Sequence, residues 1–378
     1  RFRDTTNAFR WLSAIIILSM VMAYTAAQLT ASGKAFDSFL GTGYTEGVWI
    51  GLAIVLFYTT VGGFKAVAYS DFLQGVLMLG CLVTLPFVGI AAAGGWTPMI
   101  ESLRAQDPAL LQPMGSYGLT LAGVISAAGS VAIGLAFLGS PQLLTRFMAA
   151  RDQRQIVDGG FWAVLCVIGF DVGAVFGGMA GRTLFPMLDD PETILPMMSA
   201  ELFPAFFTGI FLVVVLAAIM STVDSLLILA SSVVVRDVVQ KALGSEASER
   251  TLSLMGKGVT VVIGGVGLVV ALLEVRVIFD FVLFAWSGIA CAFTPVVLCS
   301  LFWKRTTREG ALAGMLAGFA TTVVWVRVFK ADFYDLYEMI PGFFAGLLVC
   351  VLVSLVTKPN EDAVAELDSV RETIGPVF

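Results

Sequence analysis

Ten stretches of mostly apolar residues, each about 20 residues long, constrain this chain more than any other feature. They cover about 10–32, 45–63, 70–93, 118–140, 161–185, 205–233, 252–273, 277–302, 310–328 and 338–357. A helix needs roughly 20 apolar residues to cross a bilayer. The lipid interior has no water to satisfy backbone groups, so each such stretch is expected to be a helix. The alternating pattern of a membrane barrel is absent from these runs. The predicted fold class is therefore all-α integral membrane, with residues 1–358 forming the membrane bundle and 359–378 a polar tail.

Composition supports this and narrows the function. Of 378 residues, 58% are hydrophobic and only 13% charged, about half the charged share of a soluble domain. A soluble enzyme and a nucleic-acid-binding domain are excluded, and the net charge of −6 comes with no basic patch. The chain has no His, so imidazole catalysis and His-ligated metal are excluded too. Its five Cys lie in apolar runs and read as small hydrophobes. The partner this composition implies is a lipid bilayer, with no nucleic acid.

Lys and Arg set the orientation. Assigned to alternating connections, 16 of the 22 fall on the side holding both termini, which places the termini in the cytoplasm of a multi-pass cell (inner) membrane protein. Trp11, Trp49, Trp96, Trp162 and Trp303 lie near span ends, as in an aromatic belt. Gly310, Gly314 and Gly318 recur every four residues, and Gly177 and Gly181 do the same, a spacing suited to close helix packing. The connections 94–117 and 186–204 are expected to be outer loops able to form short lids.

Charged groups at membrane depth are costly and usually functional. Asp71, Asp171 and Asp224 qualify. With no Lys or Arg expected at their depth, sodium or a proton is the simplest counter-charge. On a wheel of about 100° per residue, Ala218, Ser221, Thr222, Asp224 and Ser225 share one broad face. Hard cations take oxygen ligands, so this face suits Na⁺. The alternative is that the hydroxyls bond their own helix or a neighbouring one, which is the expected state of Ser231 and Ser232. Asp171 either lines a pathway or bonds a neighbouring helix. Ser140-Pro141 ends a Gly-rich span, and Pro141 removes a backbone donor there. A helix broken at mid-membrane exposes carbonyls suited to ions and substrates; a plain proline kink is the alternative.

The runs AYSDFLQG, LGSPQLLTRFMAARD, GRTLFP, LAAIMSTVDSLLILASSVVVRD and FAWSGIACAFTPVVLCSLFWKRTTREGALAGMLAG resemble the sodium:solute symporter family, in particular its sodium/proline branch. The resemblance runs in order from about residue 10 to 360. It implies a LeuT-like inverted-repeat bundle of about thirteen helices, of which about ten are present and the first three are expected to be missing. It implies no enzymatic activity and Na⁺ as coupling ion. It also implies a main sodium site at the Ala218 carbonyl and the Ser221 and Thr222 hydroxyls. A second sodium site would lie at Asp71, Asp224 and Ser225. Tyr24 matches a tyrosine close to transport function. Counting back from Pro141, Ile133 and Phe137 stand where proline symporters carry Trp and Tyr, so the solute is expected to be proline, another amino acid or a small carboxylate. Trp286 either faces the same pocket or packs between helices. A transporter-like sensor domain is the alternative function. A membrane enzyme lacks a nucleophile–base pair here, and an open channel is disfavoured by the wide apolar stretches.

Overall fold

A computed structural model describes residues 2–273 and 278–374. Arg1 and Arg276, two of the charges used for orientation, lie outside the described residues, as does Val277 at the start of the eighth expected span.

The elements are helical throughout the described residues. In chain order they are α1 (Ala8–Leu40), α2 (Tyr44–Ala92), α3 (Trp96–Gln106), α4 (Leu121–Ala132), α5 (Pro141–Ala149), α6 (Gln153–Leu184) and α7 (Ile194–Leu202). There follow α8 (Ala205–Ser232), α9 (Glu249–Leu272), α10 (Ile278–Phe302), α11 (Arg308–Val324), α12 (Met339–Val356) and α13 (Glu361–Ile374). Side-chain caps set several starts: Thr120, Asp152, Ser248 and Thr307 each accept an N–H from the first turn of α4, α6, α9 and α11.

Nine helices among the described residues are long and apolar enough to cross a membrane, where ten spans are expected. The difference lies in α2, which joins the second and third expected spans in one run of 49 residues. Drawn straight it would reach about 73 Å, more than twice a hydrocarbon core of about 30 Å. It is not straight. Gly63 sits at φ 63° and ψ −176°, a conformation open to glycine alone, and breaks the helix between its two crossings. The expected lids are also helical: residues 94–117 carry α3, and 186–204 carry α7.

Packing follows the glycine pattern. α11 lies along α12 and α10. A Cβ on Gly318 would stand 2.0 Å from the Cys291 carbonyl oxygen, and one on Gly314 2.7 Å from the Cys350 Cβ. Missing Cβ atoms therefore let these backbones touch. A second core joins α1, α2, α8 and α9 around Val21, Val55, Leu227, Ala230 and Ile263. α1 also packs on α10, so α1 and α8 form the middle of the bundle. The tail is not loose. α13 is tied back by Arg3–Asp362 at 2.8 Å, by Lys304–Asp368 at 2.6 Å and by an Arg371 bond to the Leu301 carbonyl at 2.6 Å.

Candidate functional site

The fourth expected span is broken, and its geometry creates the site. After α4, residues Ile133–Leu138 tighten into a 3₁₀ segment. Ser140 is extended, and Pro141 occupies the first turn of α5. Pro141 thus opens a helix rather than kinking one, since its missing N–H has no partner at that position anyway. The restart carries Gln142 and Arg146 one turn apart toward α8.

Arg146 overturns one expectation. It counts in the sequence as an ordinary loop charge, and no cation is expected at the depth of Asp71. Instead its Nη2 donates to Asp71 Oδ2 and to Ser225 Oγ, each at 2.7 Å. Asp71 therefore has a tethered counter-charge. Its other oxygen, Oδ1, is buried without a hydrogen-bond partner among the described residues.

Asp224 is fully buried, at 0% exposure. Tyr58, from the first half of α2, donates its phenol to Asp224 Oδ2 and lies 3.1 Å from the Met220 carbonyl. Ser225 Oγ lies 3.2 Å from Asp224 Oδ1, 3.4 Å from Asp71 Oδ2 and 2.8 Å from the Ser221 carbonyl. One hydroxyl hydrogen serves only one of these acceptors at a time. The formal charges of Asp71, Asp224 and Arg146 sum to −1, so the cluster is one positive charge short of neutral.

The hydroxyls of Ser221 and Thr222 both lie 3.1 Å from the Ala218 carbonyl oxygen. Each bonds its own helix, the alternative left open by the sequence. Three oxygens are nonetheless grouped on one face. The two hydroxyls give their hydrogens to Ala218 and keep lone pairs for a cation.

A cavity of about 250 Å³ joins these pieces. Tyr24 of α1, Gln142 and Arg146 of α5, Ser221, Thr222, Ser225 and Leu226 of α8, and Trp286 of α10 line it. Tyr24, Ser221, Thr222, Ser225 and Trp286 are all singled out by the sequence, and the fold brings them together. Asp71 stands behind Arg146 and Ser225, and Asp224 behind Ser225. Ile133, Phe137 and Pro141 are not among the lining residues. Phe137 reaches the site only through an edge-on contact with Trp286, with ring centroids 5.4 Å apart. Asp171 neither lines the cavity nor bonds another helix. It lies exposed on α6, with no hydrogen bond or ion pair among the described residues.

Gln142, Arg146 and Tyr58 are functional-looking residues that sequence reasoning missed. Gln142 is 8% exposed, and its Oε1 has no hydrogen-bond partner among the described residues. One signal was present for it and for Arg146: both follow Pro141 by helical spacing, on the same face of any helix that restarts there.

Comparisons with known proteins agree with this architecture. The sodium:solute symporter family profile matches residues 1–318. The high-affinity proline transporter PutP of Bacillus subtilis (strain 168) is 37% identical over 374 residues, which is 97% of this chain and 77% of that protein. The osmoregulated proline transporter OpuE of the same organism is 33% identical over 378 residues, 99% of this chain and 76% of that one. Among solved structures, the substrate-bound outward-open state of a Na⁺-coupled sialic acid symporter superposes with a TM-score of 0.74 at 17% identity. That alignment covers 95% of this chain and 76% of the other, and it carries the expected LeuT-like fold. The chain belongs to the sodium:solute symporter family and is a transporter, not an enzyme.

Proposed function

We propose that the 250 Å³ cavity is where this symporter couples Na⁺ to a small amino acid of the proline type. The observation that carries the reading is the convergence of four separate helices on a small cavity rich in oxygen atoms and ringed by Tyr24 and Trp286. At about 30 Å³ per water, that space equals roughly eight waters. This suits a compact or cyclic amino acid better than a sugar acid.

In this reading Na⁺ binds at the Ala218 carbonyl and the Ser221 and Thr222 hydroxyls. Asp71, Asp224 and Ser225 form a second cation position that Arg146 partly occupies. Gln142 Oε1 accepts from the solute's nitrogen, while Tyr24 and Trp286 pack against its apolar part. Movement of the broken α4–α5 region relative to α1 and α8 exposes the site to one side and then the other. Inward Na⁺ movement supplies roughly 2.3 kcal/mol per charge per 100 mV. The Lys and Arg distribution supports a cell-membrane placement with both termini cytoplasmic, the bundle spanning 1–358 and α13 lying on the cytoplasmic face.

The test is uptake of labelled proline by the reconstituted protein, with an inward gradient of sodium or of choline. A panel of unlabelled amino acids and carboxylates then competes. Sodium should stimulate uptake and proline-like solutes should compete best. Equal uptake in sodium and choline refutes the assignment.

A further inference from the structure

A second cavity, of about 350 Å³, lies away from the solute site, between the break in α2, the end of α8 and the first half of α9. Among the described residues its walls carry two cations, Arg236 and Lys257, and no carboxylate. Arg236 is already held by Glu249 at 2.5 and 2.8 Å. Lys257 has no hydrogen bond or ion pair among the described residues. Hydroxyls supply the remaining polar lining. Thr59 is 6% exposed, and its Oγ1 has no hydrogen-bond partner among the described residues. Ser231 and Ser232, expected to bond their own helix or a neighbouring one, make no hydrogen bond among the described residues, and Ser253 makes none either.

A buried hydroxyl without a partner is costly unless something completes it. Here it lines a space that also holds an unpaired ammonium group. Gly256 keeps the space narrow, since a Cβ there would stand 2.8 Å from Ser231 Oγ. We infer that this cavity binds a phosphate group, with Lys257 supplying charge and Thr59 and the serines supplying O–H donors. Gly63 is where α2 turns from one crossing into the next, so the cavity lies at the membrane edge, at the depth of lipid headgroups. The commonest oxyanion there is the phosphodiester of an anionic phospholipid, and basic pockets between membrane helices suit such headgroups. Free phosphate presents the same chemistry. A headgroup in this cavity touches α2, α8 and α9 together, and so bears on the hinge at Gly63.

Native mass spectrometry of the delipidated protein tests the assignment. Phosphatidylglycerol, phosphatidylcholine and inorganic phosphate are added in separate arms. Wild type should retain one phosphatidylglycerol in preference to phosphatidylcholine. Lys257→Gln should lower that retention roughly fivefold, the effect of one basic residue near an anionic headgroup. Ser253→Phe, which fills the mouth from an exposed position, should abolish it, while Arg250→Gln on the same face should leave it unchanged. A melting curve in detergent verifies that each variant is folded. If phosphate binds in a Lys257-dependent way and the lipid does not, the phosphate site stands and its source is soluble. Equal retention of lipid and phosphate by wild type, Lys257→Gln and a folded Ser253→Phe overturns the inference.

Discussion

Substituting Arg146 tests whether its guanidinium competes with sodium for Asp71. Arg146 Nη2 lies 2.7 Å from Asp71 Oδ2, with the two side chains 38% and 19% exposed. Two unit charges about 4 Å apart attract by about 4 kcal/mol at an effective dielectric constant of about 20. Partial exposure of Arg146 and desolvation of both ions reduce the net value to about 1–2 kcal/mol. A sodium ion that takes Asp71 must offset that amount. Arg146→Gln removes the tethered competitor, so half-maximal uptake should require about fivefold to thirtyfold less sodium, at 1.4 kcal/mol per tenfold. Asp71→Asn should act oppositely and raise the sodium requirement. The assay is initial-rate uptake in proteoliposomes across a sodium series, with the double variant closing a mutant cycle. If Arg146→Gln raises the sodium requirement as Asp71→Asn does, Arg146 supports the cation site rather than occupying it, and competition is refuted.

Thr222→Ala removes a hydroxyl oxygen from the Ala218–Ser221–Thr222 group and should raise the sodium needed for half-maximal uptake about tenfold, with a smaller change in solute KM at saturating sodium; an unchanged sodium curve removes Thr222 from the site. Gly314→Leu should destabilise by about 1–3 kcal/mol or more, read as a lower Tm in detergent, because its Cβ would already meet the Cys350 Cβ at 2.7 Å; an unchanged Tm refutes the packing. Asp4 lies just before α1. Burial pushes its carboxyl up, but the N–H groups of Phe9 and Thr6, the Thr6 hydroxyl and the Arg308 guanidinium together hold it below the ordinary value. A depressed folded pKa stabilises above the unfolded carboxylate value of about 4 and is lost as pH falls through the lower folded value. The Tm gap between wild type and Asp4→Asn should therefore be present at neutral pH and close in acid; a gap that widens in acid contradicts the assignment.

The spans were legible because lipid imposes a strong local rule: each crossing must be apolar and helical for about 20 residues. The glycine spacing was legible for a similar reason, since Gly310, Gly314 and Gly318 fall on one helix face. What failed was non-local or depended on a change of helix type. Ile133 and Phe137 are placed by resemblance, position by position back from Pro141. The segment that carries them is a 3₁₀ turn of about 120° per residue, a change of helix type that no position count registers, and neither residue lines the cavity. Arg146 looked like a loop charge because Pro141, the one local sign of a restarting helix, does not show what that helix packs against. Its partner Asp71 is 75 positions away. Asp171 illustrates the converse: its depth was readable from the sequence, but which way its helix face turned was not.

The Asp71–Asp224–Arg146 group gives the low charge content a mechanistic meaning. Two carboxylates and one guanidinium leave a single negative charge among packed helices. A net charge at such depth is expensive, so the group favours the arrival of one cation. The guanidinium cannot satisfy both carboxylates, because Asp224 is held on the other side of Ser225 by Tyr58. Nor can it leave easily, being fixed through Gln142 to the start of α5 by a 3.2 Å bond to the Gln142 carbonyl. A cation that draws Asp71 away from Arg146 therefore loosens the tie between α5 and the second half of α2. The same event frees guanidinium donors beside the cavity, where a solute carboxylate can use them. Ion binding and solute binding would thus be linked through one side chain. In that case, Arg146→Gln should weaken the dependence of solute KM on sodium concentration even where transport persists.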